Sequence, residues 1–402
     1  MEPPLRIGMI APAVLPVPPP SYAGTERVIA ALIDELRRRG HEVTLFGPGD
    51  STIEAEIVPT VARSLWAQGY EGDVSAYMNI ALGEAWRQHE RFDVFHSHVE
   101  QYGFLFAREC PTPVVTTLHG RLDAFGMPDL IDAFPDIPLV AISTSQRRWF
   151  PEANWAGTIH HGLPLGREPG RSQPGSYLAF VGRIAVEKGV HDAIELARRT
   201  DRQLRVAAKV NAPEEHELFA SIVQPAIDDG TVEFLGEIGQ PERDALYAGA
   251  LATVMLGAWP EPFGLVAIES MAIGTPVIAR RAGALTEIID HGVTGFLVDD
   301  VTEGELAVQR VGGLNREDIR RRTVSRFSAA TMTEAYEGVY RAVLAKRNRE
   351  RPRRAGPNVP ADHRSRGNGR AGTAPDVARG EAADREQGPA RTEGATGEVI
   401  HG

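Results

Sequence analysis

Apolar positions in the first part of the chain fall into two rhythms. Leu5 to Ile10 is a nearly continuous apolar run and predicts a buried strand. From about Thr25 to Arg39, the residues Val28, Ile29, Leu32, Ile33 and Leu36 recur at helical spacing and predict a helix with one apolar stripe, stopped by Gly40. Val43 to Phe46 returns as a strand, so residues 5–46 form a strand–helix–strand unit. Further strands are predicted at Val94 to His96, Val114 to Leu118 and Leu139 to Ile142. The pattern then restarts with a strand at Tyr177 to Val181, a helix at Val190 to Arg199 and a strand at Leu204 to Ala208. Strands at Val232 to Leu235, Ala252 to Leu256, Pro276 to Ala279 and Phe296 to Val298 complete the second series. Strands alternating with helices imply parallel sheets covered on both faces, an α/β fold.

The restart divides the chain. At 402 residues it exceeds what one hydrophobic core usually supports. The segment Gly162 to Gly175, rich in Gly, Pro and charge, reads as the linker. The expected layout is a first Rossmann-like domain over 1–165, a second over 166–330 and a closing helix over 331–348. After about Asn348 large apolar residues almost vanish, and 349–402 is expected to be a disordered tail.

Composition narrows the function. A formal charge of −11 and a pI near 5.6 argue against a nucleic-acid binder, which needs a basic face. Cys110 stands alone and cannot form an internal disulfide, which favours a reducing compartment. The start lacks a basic region and is broken by prolines, unlike a signal peptide, and no apolar run approaches the ~20 residues of a membrane span. The expectation is a cytoplasmic protein with at most peripheral membrane contact.

The most informative chemistry lies in Glu261-Pro262-Phe263-Gly264-Leu265 through Glu269. If a helix begins near Gly264, its free N–H groups and positive dipole end make an anion site, with one carboxylate beside it and the other further along the same general side. An anion cradle flanked by acids suits a ligand with phosphates and sugar hydroxyls, as in a nucleotide-diphospho-sugar.

This segment, with Trp259-Pro260 before it and Gly274-Thr275-Pro276-Val277-Ile278 after it, resembles the signature of family-four retaining glycosyltransferases. Four more segments match that family in order: Pro19 to Glu26 with Gly24, Thr117-Leu118-His119-Gly120, Phe180-Val181-Gly182-Arg183 with Glu187-Lys188-Gly189, and Gly292 to Phe296. Each is short, and their order over residues 5–300 makes the case. The resemblance implies the GT-B architecture, two Rossmann-like domains facing across a cleft. It also implies a hexosyl transfer from a nucleotide-diphospho-sugar to a hydroxyl acceptor, with retention and without a metal or other cofactor. The acceptor stays open among sugar, lipid and small molecule. The base is undetermined, with UDP preferred to GDP or ADP as the first guess.

By the same resemblance, His119 and Glu261 are the catalytic candidates, Glu261 contacting the transferred sugar and His119 the sugar or reacting centre. Gly24, Arg183, Lys188 and the backbone of Phe263, Gly264 and Leu265 would hold the donor diphosphate, and Glu269 the ribose. Simpler readings compete: Arg183 and Lys188 as solvated charges, Glu261 as a helix-start acid, Glu269 as an exposed helix carboxylate and His119 as a structural strand-end histidine. Their place in the motifs favours function. Ala23 stands where the family usually has the first of two glycines. His96-Ser97-His98 and His160-His161 lack partners at ligand spacing and are expected to be structural. Two other functions compete with this reading. A nicotinamide-dependent oxidoreductase would need Gly-x-Gly-x-x-Gly after a first strand, and neither series has it. A catalytically silent nucleotide-sugar-binding protein would keep the same residues without turnover.

Overall fold

The computed structural model describes residues 3–350 apart from 22, 71, 125 and 166–174. Its strands gather into two wholly parallel sheets. The first contains β1 (Arg6–Ile10), β2 (Glu42–Pro48), β3 (Glu56–Val61), β4 (Val94–Ser97), β5 (Val114–Leu118), β6 (Leu139–Ala141) and β7 (Trp155–Thr158), in the order β3-β2-β1-β4-β5-β6-β7. The second contains β8 (Tyr177–Arg183), β9 (Leu204–Lys209), β10 (Val232–Gly236), β11 (Ala250–Met255), β12 (Val277–Arg280) and β13 (Gly295–Val298), in the order β10-β9-β8-β11-β12-β13. In each sheet the order reverses beside the first strand. Such a reversal opens a crevice beyond the carboxyl ends of the strands, where ligands of these sheets bind. The architecture is that of two Rossmann-like domains.

The helical stripe behaves as its spacing requires: in the helix Gly24–Arg38, Val28, Ile29, Leu32, Ile33 and Leu36 are fully buried. Two strands escape the sequence pattern, β3 and β7, and both lie on the outer edges of the first sheet or its end. β3 carries Pro59 and is only partly covered, while β7 is four half-buried residues including Gly157. An edge strand has one neighbour and less apolar cover, so the alternation that marks a strand is faint there.

Residues up to Asn348 form one compact unit. Its largest core cluster joins Ile29 and Leu32 of the first half to Phe263, Leu265, Ile268 and Leu285 of the second. Polar contacts tie the halves as well. Glu287 accepts the backbone N–H groups of Thr144 and Ser145, both at 2.9 Å, and bonds His160 Nε2 at 3.1 Å. Ser143 Oγ donates to the Pro262 carbonyl at 2.7 Å. The helix Ala329–Glu350 returns to the first sheet, where Tyr340 bonds His96 at 2.8 Å and Tyr336 bonds Thr117 at 2.9 Å. Most of the expected linker, 166–174, and the tail beyond residue 350 lie outside the described residues. Among the described residues, no helix is long and apolar enough to cross a membrane.

Candidate active site

The site is assembled from loops that leave the carboxyl ends of the strands. β8 ends on Arg183, whose guanidinium donates to Glu187 at 2.8 Å and to Glu215 at 2.9 Å. A short turn, Val186–Lys188, follows and closes on Gly189 at φ 73°. A Cβ on Gly189 would lie 2.4 Å from Gly257 N, and one on Gly257 would lie 2.0 Å from the Glu187 carbonyl. Only a pair of glycines lets these two backbones touch. That contact sets Lys188 beside the loop after β11. Lys188 Nζ reaches Glu261 at 2.9 Å, and Trp259 Nε1 donates to the same carboxylate at 2.6 Å.

Gly264, at φ 111°, then turns the chain into the helix Leu265–Ala272, while Phe263 and Leu265 are buried. The first N–H groups of that helix have no intrahelical partner. Facing it is the start of the helix Gly24–Arg38: a Cβ on Gly24 would stand 3.5 Å from Leu265 Cδ1. Two positive helix ends therefore meet across the cleft, one from each half.

Glu269 is 3% exposed, a buried residue rather than a surface helix carboxylate. It forms an ion pair with Arg27 of the first half, accepts from Tyr247 Oη at 3.2 Å and lies 3.8 Å from Arg243 Nε. Arg27 also donates to Gln240 at 3.0 Å, so its guanidinium spans the two halves.

His119 follows β5 and is only partly exposed. It belongs to a histidine row that neither His96-Ser97-His98 nor His160-His161 announced. His119 Nε2 lies 2.8 Å from His98 Nδ1, and its Nδ1 lies 3.4 Å from His161 Nε2. His98 Nε2 ends the row on Met9 Sδ at 3.0 Å. Burial lowers His119 to about 3, and burial first, with the neighbouring rings second, holds His98 and His161 well below the usual imidazole range. The row is neutral at ordinary pH. His96, by contrast, faces Thr117 and Tyr340 as a packing residue. Among the described residues, no group of three His, Cys, Asp or Glu is arranged to hold a metal ion.

Two further acids enter the site unannounced. Glu26, in the first turn after Gly24, is pushed by burial up to about 7, with only its own backbone N–H pulling the other way. Glu100, at φ 50°, accepts the His119 N–H at 2.9 Å and is likewise raised by burial to about 7. A non-glycine residue held at positive φ beside a functional loop is a costly conformation that the fold maintains. The first closes the matched segment Pro19 to Glu26, the only signal that could have flagged it, and nothing in the sequence flags the second.

Comparison with known proteins decides the family. The model described as Glycosyltransferase Family 4 matches residues 22–178, and the model described as Glycosyl transferases group 1 matches residues 167–322. The chain belongs to the group 1, family-four glycosyltransferases. It is similar to a D-inositol 3-phosphate glycosyltransferase of Kribbella flavida, 27% identical over 83% of this chain and 97% of the relative. A phosphatidyl-myo-inositol mannosyltransferase of Mycolicibacterium smegmatis is 24% identical over 81% of this chain and 88% of its own. Among solved structures, a glycosyltransferase involved in avilamycin A biosynthesis superposes with a TM-score of 0.66 at 25% identity, over 85% of this chain and 98% of that one. Anabaena HepE, solved with UDP and glucose, shares the fold at a TM-score of 0.65 and 17% identity, over 83% of this chain and 98% of its own. These neighbours give this glycosyltransferase its GT-B architecture, and membership of the family removes the oxidoreductase reading.

Proposed function

We propose that this glycosyltransferase moves a hexosyl group from a nucleotide-diphospho-sugar to a hydroxyl acceptor with retention of anomeric configuration. The observation that carries the reading is the meeting of Arg183, Lys188 and the two helix starts at the crevice where the second sheet reverses. Fixed cations and N–H dipoles are what a departing diphosphate needs, because its charge grows as the sugar leaves. Side-chain charge and helix ends, rather than a metal ion, are taken to carry that stabilisation.

In the reaction, the bond from the anomeric carbon to the β-phosphate oxygen breaks, and its electron pair leaves on that oxygen. The acceptor oxygen bonds to the anomeric carbon on the same face. Its proton passes to the departing phosphate. A double displacement would require a free carboxylate beneath the sugar. Glu261, the nearest candidate, is engaged by Lys188 and Trp259, which suits a sugar-orienting role better than a nucleophilic one. Glu269 would take the ribose hydroxyls, and His119, across the cleft, a hydroxyl of the transferred sugar.

UDP is the first base to try, since a structural neighbour binds UDP and glucose. The inositol-bearing compounds named for two relatives make polyols a reasonable first acceptor panel. Cytoplasmic location fits a consumer of nucleotide sugars. Calorimetry with UDP, GDP, ADP and NAD, on wild type and Arg183→Ala, tests the site. One diphosphate should bind selectively, and the substitution should weaken it roughly ten- to a hundredfold. Equal binding without Arg183, or binding of NAD alone, would refute the assignment. Transfer of label from the matching donor, followed by proton NMR of the product's anomeric centre and a chelator control, then tests turnover, stereochemistry and metal independence.

A further inference from the structure

The loop after β5 carries a cation that none of the family motifs includes. Arg121 follows His119-Gly120, in the first half of the molecule. The loop is held from beneath by Gln146, whose side-chain amide donates to the carbonyls of Leu118 at 2.9 Å and Gly120 at 2.8 Å. From this support the Arg121 guanidinium crosses the cleft and lies 4.8 Å from the ring centre of Trp259. Lys188 lies against the same indole at 5.0 Å. Trp259 is thus contacted by one cation from each half, and its own N–H fixes Glu261.

The electrostatic surroundings repeat a pattern. Arg183 is held by Glu187 and Glu215, Lys188 by Glu261, and Arg121 by Asp123, where Nε donates to Oδ1 at 2.6 Å. Arg121 also experiences the charge of Glu187, the carboxylate that holds Arg183. Three cations therefore border one space, each occupied by a carboxylate whose oxygens stand where phosphate oxygens could. Arg121 keeps 39% of its side chain exposed, so it is free to exchange partners without breaking a packed core.

We propose that Arg121 is a third ligand of the donor diphosphate, delivered from the opposite half of the molecule, so that the leaving-group site is complete only when the halves are closed. This rests on the nucleotide-diphospho-sugar reading above. Guanidinium is suited to the task, since its planar fork can leave Asp123 and pair with two phosphate oxygens while keeping its face on Trp259. The alternative source of phosphate, a group on the acceptor, would place Arg121's effect on acceptor binding instead.

The test uses the full chain and two probes, a nucleoside diphosphate and the matching monophosphate. In wild type the diphosphate should bind more tightly. Arg121→Gln should erode that preference roughly tenfold, the worth of one charge-assisted contact, with the monophosphate nearly unchanged. Arg121→Lys should retain part of it. Asp123→Asn, which releases the guanidinium, should bind the diphosphate at least as tightly as wild type. If Arg121 were only a packing residue, Arg121→Gln would weaken both probes alike, and Asp123→Asn would weaken them too; either result overturns the proposal. A normal diphosphate preference in Arg121→Gln with a raised acceptor KM also overturns it. A wild-type chain that binds no nucleoside diphosphate would instead refute the nucleotide-sugar reading itself.

Discussion

His98 sets the tautomer of His119. A thioether cannot donate a hydrogen bond, so His98 must point its Nε2–H at Met9 and offer Nδ1 as a lone pair. His119 then donates from Nε2 across 2.8 Å, which leaves its own Nδ1 as an acceptor for His161 Nε2–H at 3.4 Å. The sequence of donors begins at His161, whose other ring nitrogen, Nδ1, carries a lone pair and is buried with no hydrogen-bond partner among the described residues.

Replacing His98 by Phe should therefore damage His119 without touching the cleft. The His119 Nε2–H loses its acceptor at a cost of about 1–3 kcal/mol, and the ring is free to take the other tautomer. The expected outcome is a lower kcat with donor KM little changed, together with a reduced denaturation midpoint. An unchanged kcat would show that the tautomer is immaterial.

The same row makes the fold sensitive to acid at an early stage. Its imidazoles are depressed in the fold but ordinary when unfolded, so their contribution is complete above about 6.5 and falls as pH drops toward their folded values. Glu26 and Glu100 change in the opposite sense in both proteins, so the row is read from the difference: between pH 8 and pH 5, the urea midpoint of wild type should fall relative to that of His98→Phe. An equal pH dependence in the two proteins would show that His98 does not titrate with unfolding.

Glu287 acts at lower pH. Burial would raise it, but His160 and the N–H groups of Ser145 and Thr144 outweigh that and bring it down to about 2. A depressed carboxylate stabilises above its unfolded value of 4.5 and loses that contribution as pH falls toward about 2, at most about 3 kcal/mol here. Glu287→Gln should loosen the two halves at pH 7, visible as faster proteolysis or hydrogen exchange in residues 143–147. It should also reduce the loss of stability below pH 4.5, leaving the part that other depressed carboxylates such as Asp229 contribute.

Glu26 has the opposite sign. Raised to about 7 from 4.5, it keeps its proton in the fold while the unfolded chain releases it. Its contribution to stability is then greatest below about 4.5 and declines as pH rises through about 7. Glu26→Gln should raise Tm at pH 8 and leave it nearly unchanged at pH 4.5. A thermal scan at the two pH values decides this, and a loss of stability at pH 8 would contradict the sign.

Arg27 occupies the carboxylate assigned to the ribose. If the ribose hydroxyls are to reach Glu269, Arg27 must yield some of that contact. Arg27→Ala should tighten nucleoside diphosphate binding severalfold by calorimetry while leaving the halves less firmly joined. Weaker binding would mean that Arg27 orients Glu269 rather than competing for it.

What the sequence disclosed was local. The stripe from Val28 to Leu36, the strands inside each sheet, and the clusters Glu187-Lys188-Gly189 and Glu261 to Leu265 can be read because the residues that act together are near one another in the chain. The edge strands β3 and β7 were missed because partial cover and Pro59 or Gly157 blur their alternation. Arg27 and Glu269 are far apart in the chain and carry no shared pattern, so their pairing follows only from two helices meeting at the cleft. His98 and His161 looked like members of separate doublets. Folding takes one ring from each doublet and sets it on either side of His119, an arrangement to which the spacing within each doublet gives no clue.

The carboxylates resident on the three cleft cations make the site an ion exchanger. Asp123, Glu187, Glu215 and Glu261 outweigh Arg121, Arg183 and Lys188 by one charge, so this set of side chains presents no net positive charge to solution. Inorganic phosphate and other stray polyanions are consequently not drawn in from a distance. An anion gains entry only by displacing several carboxylates together, which favours a ligand whose base and sugar bind alongside its diphosphate.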